Sequence, residues 1–158
     1  HLPADTATGL KKALPWGILF LFGGGMALAS ILADAGIINF LIEHLKPIAQ
    51  LPFSVIILII VALAIFATEL MSNLALVSLL IPLMGEFALE LDLPLFGVAA
   101  AVALSASCAF MLPIATAPNA IVYSSKMLSV KNMMRYGILM NSITLIVITL
   151  FIVLYFGA

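Results

Sequence analysis

Charged residues are scarce in this sequence: they make up 8%, whereas soluble domains carry about 25%. Six basic residues and a net charge of −1 exclude a nucleic-acid interface built on phosphate contacts. Cysteine occurs once, at Cys108, so no disulfide can form within the sequence, and no Cys/His cluster indicates zinc. The sequence also lacks Ser/His, paired-Asp and His-Glu-x-x-His arrangements, and we therefore predict that the protein is not an enzyme.

Hydrophobic residues, in contrast, make up 65% of the sequence and form long runs. Ala13–Ala33 and Tyr136–Phe156 are each long enough to cross a bilayer core about 30 Å thick. In the first run Gly23–Gly25 permits close helix packing, with a ligand role as the alternative. Gly36–Ala49 is too short and polar to span, which indicates an interfacial helix. We predict an all-α membrane protein, and we expect this chain to be cut from a longer polypeptide.

Two shorter apolar runs, Phe53–Phe66 and Leu74–Gly85, flank a polar stretch. At 1.5 Å per residue they reach only about 21 and 18 Å, so neither is expected to cross alone. They predict a re-entrant helical hairpin over residues 53–85, whose polar tip is buried in protein or faces a water-filled cavity. The alternative is a pair of full crossings with Glu69 at the far interface.

Leu95–Tyr123 is too long for a plain crossing and contains prolines that interrupt a helix. It predicts a discontinuous transmembrane helix over 95–125, whose first piece ends at Leu112, with a break at Pro113–Pro118 and a second piece from Asn119. The positive N-terminus of the second piece suits an anion, and unpaired carbonyls near Leu112 suit Na⁺. Two interruptions at membrane depth favour a transporter binding site over packing kinks.

Charge distribution predicts the orientation of the chain in the cell (inner or plasma) membrane. If the hairpin re-enters, one face carries most of the basic residues, namely Lys11, Lys12, Lys126, Lys131 and Arg135. The opposite face carries Lys46 among acidic residues, so the basic face is cytoplasmic and the C-terminus lies outside. Two full crossings give the same sides. We divide this multi-pass chain into 1–50 (first transmembrane and interfacial helices), 51–130 (transport part) and 131–158 (final transmembrane helix).

Two motifs carry a family resemblance: "TELMSN" at residues 68–73 and "CAFMLPIATAPNAIV" at residues 108–122. Preceded by "WGILFLFGGG", they resemble the C-terminal half of the divalent-anion/sodium symporter (DASS) family, the Na⁺-coupled dicarboxylate, citrate and sulfate carriers. The resemblance implies one of two inverted repeats, with the N-terminal half missing, in a homodimer that works by an elevator mechanism. It also implies Na⁺ as the coupling ion and a small anion as substrate.

The resemblance further implies the site residues. Contacts to the substrate are expected from the hairpin and from the unwound loop, at Ser72, Asn73, Leu74, Thr116, Ala117 and Pro118. Na⁺ is expected to bind side chains of Thr68 and Asn73 and the backbone carbonyls of Met71 and Ala115. The family's usual threonine is Leu74 here, and the first proline of its usual pair is Ala117, which leaves the substrate's identity open.

Three functions remain open on the sequence alone. The first is a Na⁺-coupled transporter of small anions, with di- and tricarboxylates favoured. The second is another ion carrier of similar architecture, a Na⁺/H⁺ antiporter or an oxyanion pump, in which Glu69 titrates. The third is a non-transporting membrane assembly subunit, in which the interruptions only pack. Glu69 is either a proton- or cation-handling residue or a paired structural carboxylate, and Asn141 and Ser142 are expected to bond a neighbouring helix.

Overall fold

The structure, a computed structural model, describes residues 16–37, 40 and 51–157, and this part of the chain contains helices but no strand. The helices are α1 (Trp16–Asp34), α2 (Phe53–Thr68), α3 (Asn73–Glu90), α4 (Leu95–Ala106), α5 (Ala117–Ser124) and α6 (Val130–Phe156). The all-α prediction is therefore confirmed for the described residues. Most of the predicted interfacial helix Gly36–Ala49 lies outside them.

The last helix is longer than the sequence indicated, because it begins at Val130 rather than at Tyr136. Ser129 caps it, since its hydroxyl accepts a hydrogen bond from the Asn132 amide at 3.3 Å. The residues between Val130 and Tyr136 are helical although they include polar residues, which is why the apolar run did not include them. Among the described helices, α3 and α6 are long and apolar enough to cross a membrane.

The two arms of the predicted hairpin form α2 and α3, joined by a short turn at residues 69–72, the α2–α3 turn. The arms have 16 and 18 residues, about 24 and 27 Å, because α3 continues past Gly85 to Glu90 with Pro82 inside it. The prediction that neither arm is long enough to cross was wrong for α3. Arm length no longer separates a re-entrant hairpin from two full crossings, and the re-entrant hairpin stays a prediction.

The core lies where α4 packs against both α2 and α3, and α6 packs against α2 and α4. The arms α2 and α3, in contrast, make few contacts with each other. The centre is formed by aliphatic side chains with almost no exposed surface, among them Ile57, Val61, Ile65, Val98, Val102 and Ile152. Small residues on α4, such as Ala101 and Ala106, allow this close approach.

Close packing at Gly25 joins α1 to α3, and this prediction is confirmed. A side chain at Gly25 would overlap the backbone carbonyl oxygen of Ser78, whereas Gly23 and Gly24 have no atom of the described residues within 4 Å of an added side chain. The Ser78 carbonyl is free to face α1 because its usual helical donor would be the residue at position 82, and Pro82 has no N–H. Gly25 and Pro82 therefore both contribute to the contact between α1 and α3.

Residues 107–116 separate α4 from α5 and are called the α4–α5 linker below. The helix ends at Ala106, well before the predicted Leu112, and tight bonds from the amides of Ser107 and Cys108 close its last turn. At the other end Thr116 caps α5, so Pro118 lies in the first turn of a helix rather than in a break. That α4 and α5 form one interrupted crossing stays a prediction.

Candidate functional site

The α2–α3 turn and the α4–α5 linker contact each other through Glu69. Its carboxylate accepts hydrogen bonds from the backbone amides of Phe110, Met111 and Leu112 at 2.8, 2.9 and 3.0 Å. These amides bond to Glu69 instead of to helix carbonyls, which explains why α4 does not continue to Leu112. The two segments that contain the predicted site residues are thus held together.

Glu69 itself is only 3% exposed, and all its hydrogen-bond partners are donors. Besides the three backbone amides, the Asn141 side-chain amide of α6 donates to the same carboxylate at 2.9 Å. Consecutive backbone amides form an anion-binding concavity, and four donors satisfy an ionised carboxylate. The contacts of Glu69 are those of a structural carboxylate, one of the two roles that the sequence left open.

Beside Glu69, Thr68 is fully buried and forms what we call the oxygen cluster: Thr68 Oγ1, Asn73 Oδ1 and the Ala106 carbonyl oxygen. Thr68 Oγ1 lies 2.9 Å from Asn73 Oδ1 and 2.7 Å from the Ala106 oxygen. A hydroxyl has one hydrogen and can donate to only one of these two acceptors at a time. The cluster therefore holds more oxygen acceptors than donors, which is the composition of a site for a hard cation.

Two further carbonyls remain available for a cation. Neither the Met71 nor the Ala115 carbonyl oxygen accepts a hydrogen bond from any residue that the structure describes. Ala106, which the sequence did not single out, is the last residue of α4, where carbonyls lack helical donors. The oxygen cluster, which consists of hydroxyl, amide and carbonyl oxygens, is a set of ligands that fits Na⁺.

The expectation that carbonyls near Leu112 are unpaired is wrong for Leu112 itself, whereas the Phe110 and Met111 carbonyls accept no hydrogen bond from the described residues. Asn119 Nδ2 donates to the carbonyls of Ala109 and Leu112 at 2.9 and 3.1 Å, and Leu112 also accepts from the Ala115 amide. Asn119 thus holds the carbonyls of Ala109 and Leu112 close to each other within the linker. The helix-end carbonyl is that of Ala106, because α4 ends earlier than predicted; it lacks a helical donor and accepts a hydrogen bond from Thr68 Oγ1.

The residues predicted to contact substrate lie on accessible parts of the two segments. Ser72 caps α3 by accepting from the Ala75 amide at 3.2 Å, and the Leu74 side chain is 40% exposed. Asn73 and Thr116 are half-buried, while Ala117 and Pro118 are exposed. Within the described residues, no hydrogen bond joins Ser72 or Asn73 to the stretch from Ala115 to Pro118. The structure brings their segments together without a direct bond between these groups.

Sequence reasoning missed the part played by α6. A side chain at Gly137 would come within 2.5 Å of the Phe110 carbonyl oxygen and the Met111 Cα, so α6 contacts the linker backbone directly. Asn141, one turn later on the same face, bonds Glu69 in the α2–α3 turn, whereas Ser142 bonds Ile138 within its own helix. The expectation that these residues bond a neighbouring helix therefore holds for Asn141, which bonds the C-cap residue of α2, and is wrong for Ser142. The sequence feature that could have predicted this role is the Gly-x-x-x-Asn spacing, which places Gly137 and Asn141 on one face of the helix.

Comparison with known proteins gives consistent matches. Residues 7–158 match the profile of the family described as the sodium:sulfate symporter transmembrane region. The sodium-dependent dicarboxylate transporter SdcS of Staphylococcus saprophyticus is 39% identical over 147 residues, which cover 93% of this chain and 28% of that protein. SdcS of Staphylococcus aureus strain USA300 is 36% identical over 141 residues, covering 89% of this chain and 27% of that protein.

An uncharacterized transporter of Haemophilus influenzae is 41% identical over 140 residues, covering 88% of this chain and 30% of that protein. The chain therefore spans less than a third of the length of these curated relatives. The similarity extends over nearly all of the chain, including both segments that Glu69 joins.

Proposed function

The chain belongs to the sodium:sulfate symporter family, that is, the divalent-anion/sodium symporters, and we propose that it is the C-terminal half of a Na⁺-coupled transporter of small anions. The activity is transport rather than a chemical reaction, and di- and tricarboxylates are the favoured substrates. Two of the relatives are named as sodium-dependent dicarboxylate transporters, which supports this substrate class. The single structural observation that carries the proposal is the surplus of oxygen acceptors around Thr68.

In this proposal Na⁺ binds the oxygen cluster. Thr68 Oγ1 and Asn73 Oδ1 supply side-chain ligands, and the carbonyls of Met71 and Ala115 complete the shell that the family resemblance implies. The carbonyl of Ala106 is an additional ligand, because it lies 2.7 Å from Thr68 Oγ1 at the end of α4. Unwound backbone and helix C-terminal ends supply Na⁺ ligands in other transporters of this kind, which supports the assignment.

The anion lies beside the Na⁺ and is held without a basic side chain. Ser72 and Asn73 donate to it from the start of α3, and Thr116, Ala117 and Pro118 form the opposite wall at the start of α5. Two helix N-termini supply positive partial charge, which suits a carboxylate. Leu74 contributes shape rather than a hydrogen bond. The bound Na⁺ supplies the remaining positive charge, so binding of ion and substrate is coupled.

The membrane arrangement that accompanies this function is the one predicted from the sequence. The hairpin re-enters the bilayer, α4 and α5 form the discontinuous helix of the transport part (51–130), and α6 provides the final crossing (131–158). The C-terminus lies outside, the missing N-terminal half supplies the second inverted repeat, and the protein is a homodimer. The low charge content and the apolar lengths of α3 and α6 support placement in the lipid bilayer.

The alternative carrier, in which Glu69 takes up and releases protons, receives less support. Four donors surround the Glu69 carboxylate. A protonated carboxyl group would direct a hydrogen towards groups that are themselves donors. A non-transporting assembly subunit does not account for the surplus of oxygen acceptors at Thr68.

The test is uptake of radiolabelled succinate by the full-length transporter in proteoliposomes, with an inward gradient of Na⁺ or of K⁺. We expect uptake with Na⁺ only. Thr68→Val keeps the shape of the side chain but removes the hydroxyl, and we expect it to raise the half-saturating Na⁺ concentration about tenfold. Thr149→Val is the matched control, because Thr149 is buried in α6 and its hydroxyl has no partner among the described residues. Equal uptake with K⁺ would refute the proposed function.

A further inference from the structure

We propose that Glu69 is a positioning residue whose carboxylate, held from α6 by Asn141 and Gly137, sets the geometry of the Na⁺ ligands. These three residues and the linker amides that they contact are called the Glu69 network below. The part of this inference that is tested by Na⁺ dependence rests on the proposed function. It assigns to α6, which carries none of the expected ligands, a role in ion binding.

The first step is that Glu69 fixes the linker backbone. Three consecutive amides, from Phe110 to Leu112, converge on one carboxylate, so these bonds restrain the backbone of this stretch. Asn119 closes the same stretch from the other side by bonding the Ala109 and Leu112 carbonyls. Movement of the carboxylate would therefore move residues 109–112 as a unit.

The second step is that the same two segments supply the oxygen cluster. Thr68 precedes Glu69 directly, and its hydroxyl bonds the Ala106 carbonyl at the end of α4. Ala106 and the amides that Glu69 binds are close in sequence, because Ala106 comes shortly before Cys108 and the amides come shortly after it. The distance between Thr68 and Ala106 therefore depends on how the α2–α3 turn is attached to the linker.

The third step is that α6 holds Glu69 in place. Asn141 is buried and uses only its amide donor, because its Oδ1 has no partner within the described residues. One turn earlier, Gly137 lies against Phe110 and Met111 with no space for a Cβ atom. Helix α6 thus contacts both members of the Glu69-to-linker bond, the carboxylate through Asn141 and the backbone through Gly137.

The test compares three single variants of the full-length transporter with matched controls. Glu69→Gln replaces one carboxylate oxygen by an amide that faces donors, Asn141→Ala removes the α6 donor, and Gly137→Ala inserts a Cβ against the linker. Ser142→Ala and Gly24→Ala are the controls, because Ser142 bonds only its own helix and Gly24 faces open space. Each variant is first checked for a monodisperse peak in size-exclusion chromatography.

The first readout is the Na⁺ dependence of succinate uptake in proteoliposomes. We expect Glu69→Gln to raise the half-saturating Na⁺ concentration about tenfold, equivalent to about 1.4 kcal/mol. The KM for succinate at saturating Na⁺ should change by less than about threefold, since the substrate donors are not part of the Glu69 network. A merely structural role would reduce the amount of folded protein without moving the Na⁺ dependence of what remains.

The second readout does not require transport. Cys108 lies in the linker and is half-buried, so its rate of alkylation by N-ethylmaleimide reports on the linker conformation. In a full-length version in which Cys108 is the one remaining cysteine, we expect Glu69→Gln and Gly137→Ala to increase this rate at least about fivefold. The two control variants should label at the rate of the parent protein.

The outcomes separate the two proposals. If the parent protein shows no Na⁺-dependent uptake, the proposed function fails, while the alkylation rates still test the Glu69 network. If folded variants keep the parent's alkylation rate and Na⁺ dependence, the positioning role is overturned. If Glu69→Gln fails to fold, Asn141→Ala and Gly137→Ala carry the test. Misfolding of all three would assign these residues to folding and would also overturn the positioning role.

Discussion

Asn119→Ala is the substitution whose effect can be worked out most directly from the structure. It removes two hydrogen bonds, from Asn119 Nδ2 to the carbonyls of Ala109 and Leu112, at 2.9 and 3.1 Å. Leu112 keeps a partner, the Ala115 amide at 3.2 Å. Ala109 is only 3% exposed, so its carbonyl loses its donor where water has little access.

These contacts set the expected magnitude. A typical hydrogen bond contributes about 0.5–1.5 kcal/mol net, and an unsatisfied buried acceptor destabilises by about 1–3 kcal/mol. With one carbonyl still paired, we expect about 2 kcal/mol of local destabilisation of the α4–α5 linker. That corresponds to about a 30-fold increase in the population of linker-open states, at 1.4 kcal/mol per factor of ten.

Hydrogen–deuterium exchange by mass spectrometry on the full-length protein measures this population. Peptides that cover the amides of Phe110–Leu112 should exchange about 30-fold faster in Asn119→Ala, when opening is in rapid equilibrium. Asn132→Ala is the control, since the Asn132 side chain is exposed at the start of α6. Exchange within about threefold of the parent protein would show that Asn119 does not hold the linker, and the assignment would be rejected.

The remaining predictions concern α1, the topology and the substrate. Gly25→Val should lower the free energy of unfolding by about 1–3 kcal/mol in thermal denaturation, because the side chain would overlap the α3 backbone, whereas Gly24→Val should have little effect. A cysteine at Leu51 should label from outside the cell, and one at Met71 should react only with small reagents and be protected by Na⁺; labelling of Met71 from the cytoplasm by large impermeant reagents would contradict the re-entrant hairpin. Leu74→Thr should tighten dicarboxylate binding about tenfold by adding a hydrogen bond to a charged group, and unchanged affinities for succinate, citrate and sulfate would show that position 74 does not line the site.

The sequence was sufficient to predict that the chain is interrupted at two places, because proline and polar residues inside apolar runs have local consequences. It was insufficient to predict where α4 ends. Nothing between Ala106 and Leu112 stops a helix locally. The end is set by Glu69, whose carboxylate takes the Phe110 amide from a position 41 residues earlier in the chain. A contact of that range leaves no periodic signal in the sequence.

Other differences have local causes. The length of α3 was underestimated because the apolar run was ended at Gly85, although α3 continues through the acidic residues Glu86 and Glu90. Pro118 was placed in the break, yet a proline in the first turn after a Thr116 cap is the usual arrangement at a helix start. Gly137 gave no signal of its own, since a glycine in an apolar helix identifies neither a partner nor a face.

The distances along the chain within the Glu69 network also have a consequence for biogenesis. The Phe110 amide follows Glu69 by 41 residues and Asn141 follows it by 72, so the ribosome completes Glu69 long before its partners. At a synthesis rate of about 5–20 residues per second, the Phe110 amide is made about 2–8 seconds after Glu69, and Asn141 is made about 4–14 seconds after it. A carboxylate without donors is costly to place in the hydrocarbon region during that interval. We therefore expect the tip of the newly made α2–α3 pair to remain in contact with water, at the membrane surface or in the insertion channel, until the linker that supplies three of the four donors has been synthesised.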